Sequence, residues 1–160
     1  MKNLGNALVL NRKRRGQSLV ELVCGLLVLI PIILVLFDLA VIVLGVQLND
    51  STCREAARVA SLGDPLTAST RAQAVIDRAN ASGSSMLSNF KLVKCVSTVT
   101  AADIAALGAF GGPISGSVTV DTEVDIRPFV VAVVWNGGAP LTFRSEQTFP
   151  FTFVVPNSSN

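Results

Sequence analysis

The chain has no histidine and no tyrosine among its 160 residues. Without histidine it lacks the side chain most used as a general base near neutral pH, and also the commonest metal ligand. Its three cysteines, Cys24, Cys53 and Cys95, do not have zinc-site spacing. Only 15% of the residues are charged, and the first sixteen contain no acid. That leader carries Lys2, Arg12, Lys13, Arg14 and Arg15. The rest has eight Lys/Arg against eleven Asp/Glu, so the formal net charge of +2 is set by the leader and the body is mildly acidic. A basic face on the folded part, which nucleic-acid binding requires, is therefore not expected. The serines have no visible base, and Glu21 and Asp38 stand too far apart in sequence to form a catalytic pair. No catalytic constellation and no cofactor or metal pattern emerges, so a membrane-tethered enzyme is the weakest of the readings weighed below.

What the chain does contain is one long apolar block. Residues 22–46 include 19 Leu, Ile, Val or Phe and one charge, Asp38. As a helix the block would extend ~37 Å, against ~30 Å for a bilayer's hydrocarbon core. At about −0.3 to −0.6 kcal/mol each, the apolar side chains outweigh a mid-span Asp at roughly +3 kcal/mol. Pro31 is compatible with a membrane helix. Four basic residues precede the block, whereas Gln47, Leu48, Asn49 and Asp50 follow it. This asymmetry places the N-terminus in the cytoplasm and the body across the membrane. A cleaved secretory signal would need a shorter apolar core and a better small-residue site than Val43-Leu44-Gly45. Asp38 allows two readings: it faces a partner or a water path, or it reaches towards the far interface.

Between the leader and the block stands "GQSLVEL", residues 16–22. This stretch resembles the processing site of type IV prepilins, in which a membrane peptidase cuts after the glycine and the glutamate becomes the fifth residue of the product. The resemblance implies a cut between Gly16 and Gln17, with Glu21 in that fifth position. Glycine admits an extended backbone to a protease cleft. An acid in the first turn suits the helix dipole. In a helix bundle, a neighbour's new amine could pair with Glu21. The plainer reading makes Glu21 an interfacial residue of an uncleaved anchor. After the block, "REAARVA", residues 54–60, is similar to the segment that follows the membrane helix in TadE- and TadG-like proteins, pseudopilins or minor pilins of the tight-adherence (Flp) pilus. The resemblance extends over residues 12–62, and beyond them it is only a general likeness to a strand-rich tail. Leu22 departs from the Phe often found after the glutamate. Ala56, Ala57, Val59 and Ala60 form a small-residue face, which could meet a partner helix or cover the domain's own sheet. Glu55 and Arg58 are spaced to pair along the helix.

Beyond this the chain reads as a small head. Gly63 ends the first helix, and Asp64-Pro65 caps a second whose face is Leu66, Ala72, Val75, Ile76 and Ala79. A polar linker follows over residues 80–85. Strands are expected over residues 90–100, 117–126 and 141–155, with a short helix at 103–110 and a loop at 111–113. Val118, Val120, Val124 and Ile126 share one strand face. Asp121, Glu123 and Asp125 lie on the other, as a solvated face rather than a calcium loop. Leu141, Phe143, Phe149, Phe151 and Phe153 also alternate, and Pro150 marks an edge strand. Residues 129–135 form an uninterrupted apolar run, read as a buried strand or a short helix, before a turn at 136–138.

The expected fold is α+β and pilin-like. It comprises a leader (1–16), a transmembrane helix continuing outward (17–62), and an extracytoplasmic head (63–160) with helices on an antiparallel sheet of three to four strands. Outside the cytoplasm Cys53 and Cys95 could form one disulfide; the other reading is two free thiols. The expected role is structural, in the bacterial inner membrane or, after assembly, in a pilus. The expected partners are a prepilin peptidase, other pilins and inner-membrane assembly proteins, and the lipid bilayer. Glu21 and Asp38 are the candidate helix-assembly residues. The alternative is an uncleaved single-span scaffold or envelope adaptor.

Overall fold

Helix α1 (Leu4–Ala60) runs for 57 residues and contains Pro31. The structure, a computed structural model, describes residues 4–82, 87–130 and 137–157, with the backbone alone for residues 4–16 and 87–88. It also contains α2 (Ala68–Ser82), β1 (Leu87–Ser97), α3 (Ala101–Leu107), β2 (Gly112–Ile126) and β3 (Leu141–Val155). The architecture is α+β: one long apolar N-terminal helix and a small antiparallel sheet with helices. The strand order among the described residues is β1-β2-β3.

The end of α1 is closed by a side chain from α2. The Arg71 guanidinium donates to the carbonyls of Val59 (3.2 Å), Ala60 (2.8 Å) and Asp64 (2.9 Å), and to Thr67 Oγ1 (2.6 Å). Helix C-termini leave carbonyls without partners, and a cation there also complements the dipole. The chain then turns through Gly63 at φ +89°, which only glycine adopts freely. As expected, Asp64 caps the next turn, accepting from the Leu66 N–H at 2.9 Å, with Pro65 following. Leu66, expected on the packed face, is instead exposed, because residues 65–67 form a 3₁₀ turn before α2 begins. Removing the cap with Arg71→Ala is expected to cost about 2 kcal/mol, since hydrogen bonds from a charged donor contribute roughly 1.5–3 kcal/mol and Arg71 makes several. Urea unfolding of the head should read this as a lower midpoint.

Strand β2 pairs with β3 in unbroken register from Gly112↔Val155 to Ile126↔Leu141. On β2, Val118, Val120, Val124 and Ile126 point inward and are fully buried. They meet Ala72 and Ile76 of α2 and Cys53, Ala56, Ala57 and Ala60 of α1. The small-residue face therefore covers the domain's own sheet, where alanines let the helix come close. The exposed face of α1 pairs Arg54 with Asp50 at 3.3 Å, rather than Glu55 with Arg58.

On the outer sheet face Arg144 pairs with Glu123 (3.0 Å) and Lys91 with Asp125 (3.3 Å). Partial burial acts to raise the Asp125 pKa. Hydrogen bonds from Thr142, Asn89 and Lys91 outweigh it and hold the carboxyl below its ordinary value. Pro150 lies exposed on edge strand β3, where its missing N–H costs no ladder bond.

Several boundaries differ from expectation: β1 begins at Leu87 rather than residue 90, and α3 spans Ala101–Leu107 rather than residues 103–110. Strand β1 stops at Ser97 because Thr100 leaves the strand to cap α3, in a reciprocal capping box with Asp103. Strand β2 begins at Gly112, so residues read as loop are paired with β3. At the start of β1, Asn89 sits at φ +77° in a bulge. The Asn80 amide replaces the lost ladder by bonding both the N–H and the C=O of Phe90 at 2.8 Å. Of the polar linker expected over residues 80–85, residues 80–82 belong to α2 and the remainder lies outside the described residues.

Candidate functional site at the junction of helix and head

Helix α1 changes environment at one residue. Every position from 17 to 37 is exposed, and Asp38 is the first that is buried. From there a stripe at helical spacing packs under the head: Asp38, Gly45, Asn49, Cys53, Ala56, Ala57 and Ala60 are buried, with Val41 and Ile42 half-buried against the core. From residue 17 onward, helix α1 thus has two parts. Residues 17–37 project from the head, and residues 38–60 form one wall of it. The projecting part covers ~31 Å at 1.5 Å per residue. Residues 17–60 contain the one helix among the described residues that is long and apolar enough to cross a membrane.

Asp38 is only 3% exposed and turns towards its own chain. Its carboxylate accepts from the backbone N–H of Phe129 at 2.7 Å and of Val130 at 2.6 Å. Those residues lie just beyond the end of β2. Buried Pro128, with φ fixed and no N–H of its own, precedes them. Hydrogen bonds to a charged group contribute about 1.5–3 kcal/mol each, so two offset the roughly +3 kcal/mol that an aspartate costs within a membrane helix. The bond is also reciprocal, since it gives partners to donors at the start of a connection between strands. Of the apolar run 129–135, residues 131–135 lie outside the described residues. The turn expected at 136–138 is seen at Gly137 and Gly138, both at positive φ.

Higher up the same stripe is a polar seam. Buried Thr122 of β2 donates to Asn49 Oδ1 at 3.0 Å, and Asn49 Nδ2 donates to the Phe143 carbonyl of β3 at 3.3 Å. Asp50 accepts from Ser145 Oγ and Gln147 Nε2, each at 3.0 Å. The Cys53 thiol donates to the carbonyls of Val120 (3.3 Å) and Ser145 (3.1 Å). One row of α1 thus fixes both strands of the β2–β3 pair. The seam was not foreseen from sequence. Its signal was polar Thr122 in the inward register of β2 and polar Asn49 one turn before Cys53.

The remaining candidate residues are not brought together. Gly16 and Gln17 lie within the continuous backbone of α1, and Glu21 is exposed on the projecting part, one turn further on. Of the two readings of Cys53 and Cys95, the structure has free thiols, and Cys24 is also unbridged. The Cys53 sulfur is engaged over β2 and β3, whereas Cys95 sits on β1 and senses the charge of Arg71. Burial is the largest influence on both thiols and raises their pKa. The lowering contacts, with Thr122 and Ser145 for Cys53 and with Arg71 for Cys95, are weaker. A buried thiol kept protonated is a poor nucleophile. Iodoacetamide at neutral pH is expected to modify half-buried Cys95 well before fully buried Cys53, which should react only on unfolding. Peptide mass mapping over time checks this order. Equal rates would contradict the packing, and an unreduced chain lighter by two hydrogens would restore the disulfide.

Among the described residues no group of three or more Cys, Asp or Glu is placed to hold a metal ion. Every buried side-chain nitrogen or oxygen described has a hydrogen-bond partner. No protein-family model matches the chain, and no curated protein or solved structure matches it significantly.

Proposed function

We propose that this chain is a structural pseudopilin or minor pilin of a tight-adherence (Flp) pilus machine. It is anchored in the bacterial inner membrane with its N-terminus in the cytoplasm and its head outside. The observation that carries this reading is the projecting helix. Residues 17–37 are exposed on all sides for ~31 Å, about the thickness of a bilayer core. Among the described residues, the chain's own head buries none of that length, leaving it to lipid in the membrane and to neighbouring helices in an assembly. Glu21 stands near its start, where a neighbour's α-amino group would neutralise it. Support for the system named comes from "GQSLVEL" at the start of the projecting part and "REAARVA" at the C-terminal end of α1.

In this mechanism a prepilin peptidase cuts after Gly16 and removes all five leader charges. The product begins at Gln17 and keeps the apolar helix and Glu21. Gly16 lies in helical backbone, so the peptidase must first unwind it. Glycine makes that easier, being about 1 kcal/mol less favourable than alanine within a helix. The unbroken course of α1 through Gly16 favours the alternative, an uncleaved single-span scaffold or envelope adaptor.

Mass spectrometry of the N-terminus separates the two. In cells with an active prepilin peptidase, the proposal expects a chain starting at Gln17, and Gly16→Leu should abolish that product. An intact Met1 under those conditions selects the scaffold.

A further inference from the structure

We infer that residues 127–130, the first part of the β2–β3 connection, form a second lipid-contacting element seated in the outer leaflet beside the helix. The inference rests on reading residues 17–37 as membrane-spanning. If that length crosses the hydrocarbon core, Asp38 lies at its outer boundary, one residue beyond the exposed stretch. If the core begins at Leu22 instead, Asp38 lies ~24 Å along it, inside a core of ~30 Å. In both placements the bonds from Phe129 and Val130 to the Asp38 carboxylate fix the connection at the same depth.

The side chains at that depth fit lipid. Phe129 is 74% exposed although its backbone is held against α1. On α1, Leu39 next to Asp38, and Val43 and Leu44 one to two turns further on, are also exposed, so exposed apolar side chains occur on the helix as well as on the connection. Arg127, exposed two residues before Phe129, is placed for lipid phosphates. The sequence beyond Val130 stays uncharged up to Trp135. Backbone N–H groups without a helical partner are tolerated at membrane depth where they are satisfied within the protein. Asp38 does this for the two N–H groups concerned. The charge inside the apolar block is thus the anchor of the element.

The test uses the full chain in vesicles of phosphatidylethanolamine and phosphatidylglycerol. Trp135 is the only tryptophan, so the double variant F129W/W135F places a single fluorophore on an exposed described position. Lipids brominated near the glycerol end of their acyl chains should quench it several-fold more than aqueous iodide does. Quenching mainly by iodide overturns the inference, and so does protection from both quenchers, which would mean that protein covers Phe129. If circular dichroism shows that the variant has lost the head, R127W/W135F, which places the fluorophore at the other exposed position of the element, decides on the same criterion. Alkaline carbonate extraction of the same vesicles keeps the two readings apart. A chain that is extracted defeats the span and this inference together. A chain that is retained but quenched by iodide defeats this inference alone.

Discussion

Asp38→Ala should destabilise the head by about 3 kcal/mol, while easing insertion of the helix by a similar amount. The two effects have opposite signs because Asp38 belongs to two structures. In the helix it is a charge in an apolar block, at roughly +3 kcal/mol when deep in a membrane. In the head it is the acceptor for the N–H groups of Phe129 and Val130. Alanine leaves both donors without that acceptor at a buried site, at about 1–3 kcal/mol each. Asp38→Asn keeps one acceptor oxygen and should fall between the wild type and alanine. Hydrogen exchange is the direct measurement. The amides of Phe129 and Val130 should be protected in the wild type and exchange faster in Asp38→Ala, with a smaller change in the centre of β2. Unchanged exchange at these two amides would show that the carboxylate does not hold the connection in solution.

The same residue shows what the sequence could and could not reveal. The apolar block was legible from composition, and Asp38 stood out as its only charge. Where the block stops projecting was not legible, because lipid and a protein core select the same side chains. Val41 and Ile42, half-buried under the head, read no differently from Ile32 and Ile33, which are exposed. The strand faces were legible where period-two alternation was clean, and β2 and β3 alternate in burial as their sequences do. The start of β2 was hidden, since Gly112 and Pro113 are turn residues by type and only their pairing with β3 makes them strand. The contact between Asp38 and residues 129–130 joins positions 91 and 92 apart in sequence. No local pattern encodes it. The choice between the two cysteine readings was hidden for a related reason: cysteine count and compartment say nothing about which way a sulfur points.

The polar seam supports the second large effect. Asn49→Ala should cost about 3 kcal/mol, because it removes the bond from Thr122 and the bond to Phe143, leaving a hydroxyl and a carbonyl unpartnered. Thr122→Val preserves shape and deletes one donor, so about 1–2 kcal/mol is expected. The double variant should be less destabilised than the sum of the two by about 1 kcal/mol. With valine at 122 there is no hydroxyl left for Asn49→Ala to orphan, and residues in one hydrogen-bond network couple by roughly 0.5–3 kcal/mol. Urea unfolding of the four proteins closes the cycle. Additivity within ~0.3 kcal/mol would mean that the bond between Thr122 and Asn49 carries no energy of its own. The expected coupling has a structural consequence. Asn49 and Thr122 are both buried, and apolar residues in their place would pack α1 on the sheet with no preferred position along it. A carboxamide that must meet one hydroxyl on β2 and one carbonyl on β3 permits a single placement. That placement sets Asp38, three turns earlier on the same face, opposite Phe129 and Val130. We therefore expect Asn49→Ala to speed exchange at those two amides as well, although Asn49 touches neither.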